Sequence, residues 1–264
     1  MGDLSGNDLI LGMDIGGTSS AVVLGDDEGQ ILRRNSFSTS PERGFPTVFS
    51  ELCGFADKLL RHAHSQSLSV GCISVSIGGP LDIERGIIQS PPNLPGWDDV
   101  PLKALLADRF KLPVYIEHDG NAGALAEWFF GAAREARNVI FLTMGTGFGG
   151  GLILDGRLYR GASFLAGEVG HIRLAPAGPE AYGKAGSWEA FCSGAGIARL
   201  AALRFPQRWS QQPTTARDLA ALATAGDEDA LAVIDEAARH LGRGLAILLD
   251  VLNPQIIVIG SLAV

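Results

Sequence analysis

Cysteine is scarce in this 264-residue chain: Cys53, Cys72 and Cys192 lie far apart and form no C-x-x-C pair. That leaves out a disulfide scaffold or a cysteine metal cluster, and reads as the reduced thiols of a cytoplasmic protein. Net positive charge is also lacking. Against 29 Asp and Glu stand 21 Lys and Arg, a formal net charge of −8, so the basic surface that nucleic acid or an anionic membrane requires is not expected. Long apolar runs are missing too. The longest, around Leu245–Leu249, falls far short of the roughly 20 residues that span a bilayer. Met1–Asp8 is short and polar, so no secretory leader is expected. Nor is there a G-x-x-x-x-G-K-[ST] phosphate loop.

Glycine is what the chain has in excess: 35 residues, clustered at Gly16-Gly17, Gly78-Gly79, Gly145–Gly151 and Gly183–Gly196. The clusters sit between apolar runs rather than in polar linkers, which marks tight turns where backbone approaches backbone or ligand. The first lies in Leu9-Ile-Leu-Gly-Met-Asp14-Ile-Gly16-Gly17-Thr18, followed by apolar Ala21–Leu24 and a Gly25-Asp26 turn. This predicts strand, hairpin, strand, turn, strand. The pattern recurs in Val139–Met144, Gly145-Thr146-Gly147, Leu152–Leu154 and Asp155-Gly156. Two copies of one supersecondary unit, about half a chain apart, predict two homologous lobes.

Between the copies, Val48, Leu52, Phe55 and Leu59 recur at helical spacing, and Val70–Ile77 reads as a buried strand. Leu102–Phe110 reads as a short helix. Pro113–Glu117 reads as a strand running into His118-Asp119-Gly120-Asn121 and a helix through Phe130. Leu231, Ile234, Leu241, Leu245, Leu248 and Leu252 mark a long amphipathic helix that Asn253-Pro254 ends, and Ile256–Ile259 is a final apolar strand. Strands alternating with helices predict an α/β protein with mixed sheets.

Gly145-x-Gly147-x-x-Gly150 matches the dinucleotide fingerprint, but its glycines lead into a strand, whereas that fingerprint needs a helix to meet the pyrophosphate. What remains is a pair of Gly/Thr hairpins whose N–H groups suit phosphate oxygens, the first with Asp14 just ahead of its turn.

Asp14-Ile-Gly16-Gly17-Thr18, the Gly145–Gly151 turn, Glu117-His118-Asp119-Gly-Asn121 and Gly161-Ala-x-x-x-Ala166-Gly167-Glu168-x-Gly170-His171 resemble, in order, the motifs of the ROK family of sugar kinases and sugar-responsive repressors. The resemblance runs from about Leu9 to the last residue. It implies an actin-like ATPase fold of the hexokinase type (duplicated ribonuclease H-like), with two lobes, 1–118 and 119–264, around a cleft. It also implies an enzyme that uses ATP and Mg²⁺ to phosphorylate a glucose-like hexose, or else N-acetylmannosamine or N-acetylglucosamine. Asp119 matches the family's catalytic base, a role that suits a carboxylate facing a weakly nucleophilic hydroxyl; an Asp opening a helix also serves as an N-cap. Gly79, Asn93, His118, Asp119, Glu168, His171 and Glu189 match the sugar-contact positions. Asp14, Gly16, Gly17, Thr18, Gly145, Thr146, Gly147 and Gly260 match the nucleotide positions. The resemblance further implies a homodimer.

The chain departs from the family in three places. The C-x-C-G-x-x-G-C zinc motif reads Glu180-Ala-Tyr182-Gly-Lys-Ala-Gly-Ser187, so no zinc is expected. His118 stands where many members carry Asn, and Ser19 where kinases often carry Lys. Finally, family members continue from the position of Gly260 into a further helix and more sheet, part of which closes the adenine site, and this chain is expected to lack that segment. The repressors of the family carry a winged helix-turn-helix ahead of the first phosphate motif, where this chain has thirteen residues before Asp14. The kinase reading therefore ranks first, and a non-catalytic sugar-responsive regulator is the alternative.

Overall fold

The computed structural model describes residues 8–212 and 214–261. The ends of the two expected lobes, residues 1–7 and 262–264, lie outside the described residues. The chain forms two compact units, Met1–Ala122 and Gly123–Val264.

The first unit is built on a five-stranded sheet. Strands β1 (Leu9–Ile15), β2 (Ser19–Gly25) and β3 (Ile31–Ser38) run antiparallel, then β4 (Val70–Ile77) and β7 (Val114–His118) join β1 in parallel, in the order β3-β2-β1-β4-β7. Helix α1 (Gly44–Ser65) buries Val48, Leu52, Ala56 and Leu59, one face at the spacing the sequence shows, into the core with Leu11, Met13, Val22, Ile73 and Val75. At roughly 25 cal/mol per Å² of apolar surface removed from water, such a face and not helix propensity holds α1 in place. A small ribbon, β5 (Leu81–Asp82) with β6 (Ile87–Ile88), leads through the 89–100 loop to α2 (Leu102–Phe110), which ends on Lys111 in the left-handed conformation. Trp97 is fully buried and meets Phe45 edge-on, with ring centroids 5.0 Å apart, so the loop is packed into the core at that point.

The second unit repeats the plan. Strands β8 (Val139–Met144) and β9 (Phe148–Leu154) form the second hairpin, β10 (Arg157–Leu158) flanks it, and β13 (Ile256–Ser261) lies parallel to β8, giving the order β10-β9-β8-β13. This matches β3-β2-β1-β4 strand for strand, so the repeat read from the two Gly/Thr turns is a repeat of architecture. Helix α3 (Asp119–Phe129) leads from the first unit into the second. The 3₁₀ turn at Val169–His171 and the ribbon β11 (Glu180–Ala181) with β12 (Lys184–Ala185) precede a helical block. That block contains α4 (Trp188–Cys192), α5 (Gly194–Arg204), α6 (Pro206–Trp209), α7 (Ala216–Thr224) and α8 (Glu228–Leu252). Asn253 in the left-handed conformation caps α8, the stop read from Asn253-Pro254. Among the described residues, no helix is long and apolar enough to cross a membrane.

Candidate functional site

In the first unit, three strands bring polar side chains to one level. Asp14 on β1 pairs across the ladder with Ser76 on β4, which pairs with Glu117 on β7. Just beyond lie the Gly16–Thr18 turn, closed by a Gly16 N–H to Ser19 carbonyl bond of 3.1 Å, the Gly78-Gly79 turn and the start of α3. Glu117 is a splint for that start. Its Oε1 accepts the His118 N–H at 3.1 Å and the Asn121 Nδ2 at 2.9 Å, bracketing Asp119 from both sides. The Oδ1 of Asp119 accepts the Gly120 N–H at 2.7 Å and lies 3.2 Å from His118 Nδ1. The Oδ2 lies toward Gly78, where an added Cβ would sit 3.8 Å from it.

The remaining first-unit candidates belong to the same patch. A Cβ on Gly79 would meet the His118 ring at 3.1 Å, and one on Gly17 would lie 2.7 Å from the Asn93 carbonyl oxygen. The Gly16–Thr18 turn and the Pro91–Trp97 loop thus touch backbone to backbone, and Gly17 is the residue that permits it. Thr18 is exposed at the tip, its carbonyl accepting the Thr39 N–H.

Asp14 reaches solvent, yet protein atoms strip enough water from its carboxyl to raise the pKa above the usual value. The nearby Asp119 charge pushes the same way, while a hydrogen bond with Ser76 and the charge of Arg34 oppose it. The sign follows from linkage. A carboxyl whose folded pKa is raised contributes stability below its unfolded value, about 3.9, and that contribution is lost as pH rises through the folded value. Asp14→Asn is therefore expected to raise Tm at pH 7, with the gain shrinking as pH falls toward 4. Thermal melts across that range check it; an unchanged or lower Tm at pH 7 contradicts it.

In the second unit, the Gly145–Gly147 turn is tied down at both ends. Gly194 N–H at the start of α5 donates to the Gly145 carbonyl at 2.8 Å, and Phe148 N–H donates to Glu189 Oε2 at 3.0 Å. Glu189 sits on α4, all five residues of which are buried, with Ser187 capping its first turn. Burial raises the Glu189 pKa, opposed by the Phe148 N–H and by the charges of His171 and Arg199. His171 Nε2 lies 3.6 Å from Glu168 Oε2, so Glu168, His171 and Glu189 share one neighbourhood. Gly170, between the first two, is packed against the Phe148 carbonyl. Thr146 is exposed at the turn, and Gly260 on β13 pairs with Thr143, where a Cβ would meet the Phe141 ring at 2.9 Å.

The positions matching the family's zinc motif do not suit that ion. The Ser187 hydroxyl accepts the Ala190 N–H at 3.3 Å as a helix cap, and Lys184 Nζ, a cation, donates to the His171 carbonyl at 3.0 Å. Cys192, the nearest thiol in sequence, is buried, which pushes its pKa up to about 12, and its Sγ donates to the Ala237 carbonyl.

Two residues of these patches escape a sequence reading, Ser76 and Phe148, whose amide meets Glu189; Glu117 stands in the Glu117–Asn121 motif, but its bonds to His118 and Asn121 do not show there. A polar residue in the apolar run Val75–Ile77, just ahead of Gly78-Gly79, is the available signal for Ser76.

Comparison with known proteins follows the same lines. The family model described as "ROK family" matches residues 10–262. A glucokinase of Halalkalibacterium halodurans is 34% identical over 262 residues, covering 95% of this chain and 79% of the relative. A solved ROK family glucokinase from Streptomyces griseus, in complex with glucose and AMPPNP, superposes with a TM-score of 0.79 at 33% identity, covering 96% of this chain and 82% of that one. The DNA-binding transcriptional repressor Mlc of Escherichia coli is 38% identical over 194 residues, covering 72% of this chain and 48% of the repressor. The architecture is that of the actin-like ATPases, and the chain belongs to the ROK family.

Proposed function

We propose that the chain is a sugar kinase that transfers the γ-phosphoryl group of ATP to a primary hydroxyl of a glucose-like hexose. The observation that carries this reading is Asp119, bracketed by Glu117 and beside His118, in the same patch as Asp14 and the Gly16–Thr18 turn. Asp119 Oδ1 is occupied by Gly120 and His118, so Oδ2 takes the hydroxyl proton as the sugar oxygen bonds to phosphorus and the bond to ADP breaks. The Gly16–Thr18 and Gly145–Gly147 turns bind the phosphates through N–H groups and hydroxyls. When bound with the nucleotide, Mg²⁺ neutralises phosphate charge, and Asp14, short of water, is the carboxylate that would hold it. Gly79, Asn93, His118, Glu168, His171 and Glu189 are the proposed sugar contacts, since a buried polar group left unpaired penalises the wrong sugar. Gly260, where the Phe141 ring leaves no room for a side chain, is the proposed third nucleotide position. The glucokinase relatives support glucose as acceptor, with N-acetylmannosamine or N-acetylglucosamine next. A cytoplasmic homodimer completes the proposal.

The second reading, a sugar-responsive regulator without turnover, is favoured by the similarity to Mlc. A coupled ADP-release assay over hexoses and N-acetylhexosamines separates the two. Turnover with glucose or a close analogue is expected; sugar binding without ADP release across the panel would establish the regulator instead.

A further inference from the structure

We infer that Glu189 couples sugar binding to nucleotide binding, because one carboxylate both faces the sugar contacts and holds the Gly145–Phe148 turn. The inference rests on the sugar-kinase reading. Glu189 is 7% exposed, and its Oε2 accepts the Phe148 N–H at 3.0 Å. That oxygen is so close under the turn that a Cβ on Gly147 would lie 3.3 Å from it. Gly170, which lies between Glu168 and His171 in sequence, packs against the same side chain, a Cβ there falling 3.3 Å from the Glu189 Cβ, and the carboxylate feels the charges of His171 and Glu168. The tie at Gly145 is backbone to backbone. The tie at Phe148 runs through the Glu189 carboxylate, a proposed sugar contact.

Helix α4 cannot absorb a shift of that carboxylate. Trp188 lies on Gly244 of α8, where a Cβ would come within 2.2 Å of the indole. Phe191 meets the His240 ring edge-on with centroids 3.6 Å apart, and Cys192 Sγ donates to the Ala237 carbonyl at 3.4 Å. These contacts fall at successive turns along one face of α8, so α4 is held along its whole length. A sugar hydroxyl that donates to Glu189 draws on the same negative charge that holds the Phe148 amide. Strain or slack therefore passes to the turn and not into the helix. By linkage, a nucleotide settling on the turn changes sugar affinity by the same factor that sugar changes nucleotide affinity.

The test is calorimetric titration of the full chain with glucose, with and without AMPPNP and Mg²⁺. It is joined by hydrogen exchange at the Phe148 amide. In the wild type, the two glucose affinities are expected to differ by a factor in the range of about 5–150, and glucose alone should change Phe148 exchange. Glu189→Leu is expected to weaken AMPPNP binding without sugar by about 10–100-fold, the loss of a charged hydrogen bond. Glu189→Gln, whose amide oxygen still accepts from Phe148, should keep AMPPNP affinity while losing glucose. Should the leucine variant fail to fold, the glutamine variant and the wild-type exchange data still decide. If the wild type binds neither ligand, the sugar-kinase reading falls. If it binds both, but glucose leaves Phe148 exchange and AMPPNP affinity untouched, the coupling is overturned and the kinase reading stands.

Discussion

Asp119→Asn is expected to lower kcat by about 10²–10⁴-fold, the usual worth of a general base, while glucose affinity stays close to wild type. The substitution keeps the shape of the side chain, and its amide oxygen can still accept the 2.7 Å Gly120 N–H bond, so the first turn of α3 survives. The splint from Glu117 to His118 and Asn121 does not involve Asp119 and remains in place. What is lost is the oxygen that takes the proton. Steady-state kinetics with calorimetry on the same variant separates the two effects. A variant that turns over near the wild-type rate would leave Asp119 as a helix cap and end the proposed mechanism.

Gly170→Ala is expected to act on both substrates at once. A Cβ there would lie 2.1 Å from the Phe148 carbonyl oxygen and 3.3 Å from the Glu189 Cβ. The oxygen belongs to a paired strand and cannot rotate aside, so the Val169–His171 turn must move off β9 and carry Glu168 and His171 with it. Overpacking of this kind costs roughly 1–3 kcal/mol, and each kcal/mol lowers Tm by about 2–4 °C in a chain of this size. Both KM values should rise. Gly242→Ala is the control: it lies in α8 with nothing within 4 Å of an added Cβ, and a helical Gly→Ala change there should be neutral or stabilise by up to ~1 kcal/mol. If the two variants melt alike and keep wild-type KM values, the contact at Gly170 gives way and the argument fails.

Much of the architecture could be read before any coordinates. Apolar runs flanking the Gly/Thr turns placed β1, β2, β8 and β9, and the 3–4 spacing of Val48, Leu52, Phe55 and Leu59 placed α1, because local pattern is what burial on one face imprints. The helix read at Leu102–Phe110 is α2, and the Asn253-Pro254 stop is the left-handed cap of α8. The block from Ser187 to Thr224 was not legible as elements. Helix α4 has five residues, all buried, so it offers neither a full period nor a polar face to read. The second role of Glu189 was hidden for a different reason. The partner amide at Phe148 is far away in sequence, and a backbone donor leaves no trace in residue type. Likewise Gly170 reads as a motif glycine, whereas the neighbour that demands it is the Phe148 carbonyl on β9.

The pairing of β13 with β8 has a consequence for how the chain is made. In the first unit the β1–β2–β3 meander closes through short turns, so its sheet can begin to form as soon as those strands leave the ribosome. In the second, Ile256 pairs with Val139 in parallel, with nearly the whole unit lying between them. The loop entropy of that closure must be met before any of its contacts form. During synthesis β8 therefore waits, one edge unpaired, until β13 arrives. Because Val139 waits for Ile256 across a longer stretch of chain than Leu9 waits for Val70, the second unit keeps an unpaired strand edge longer than the first.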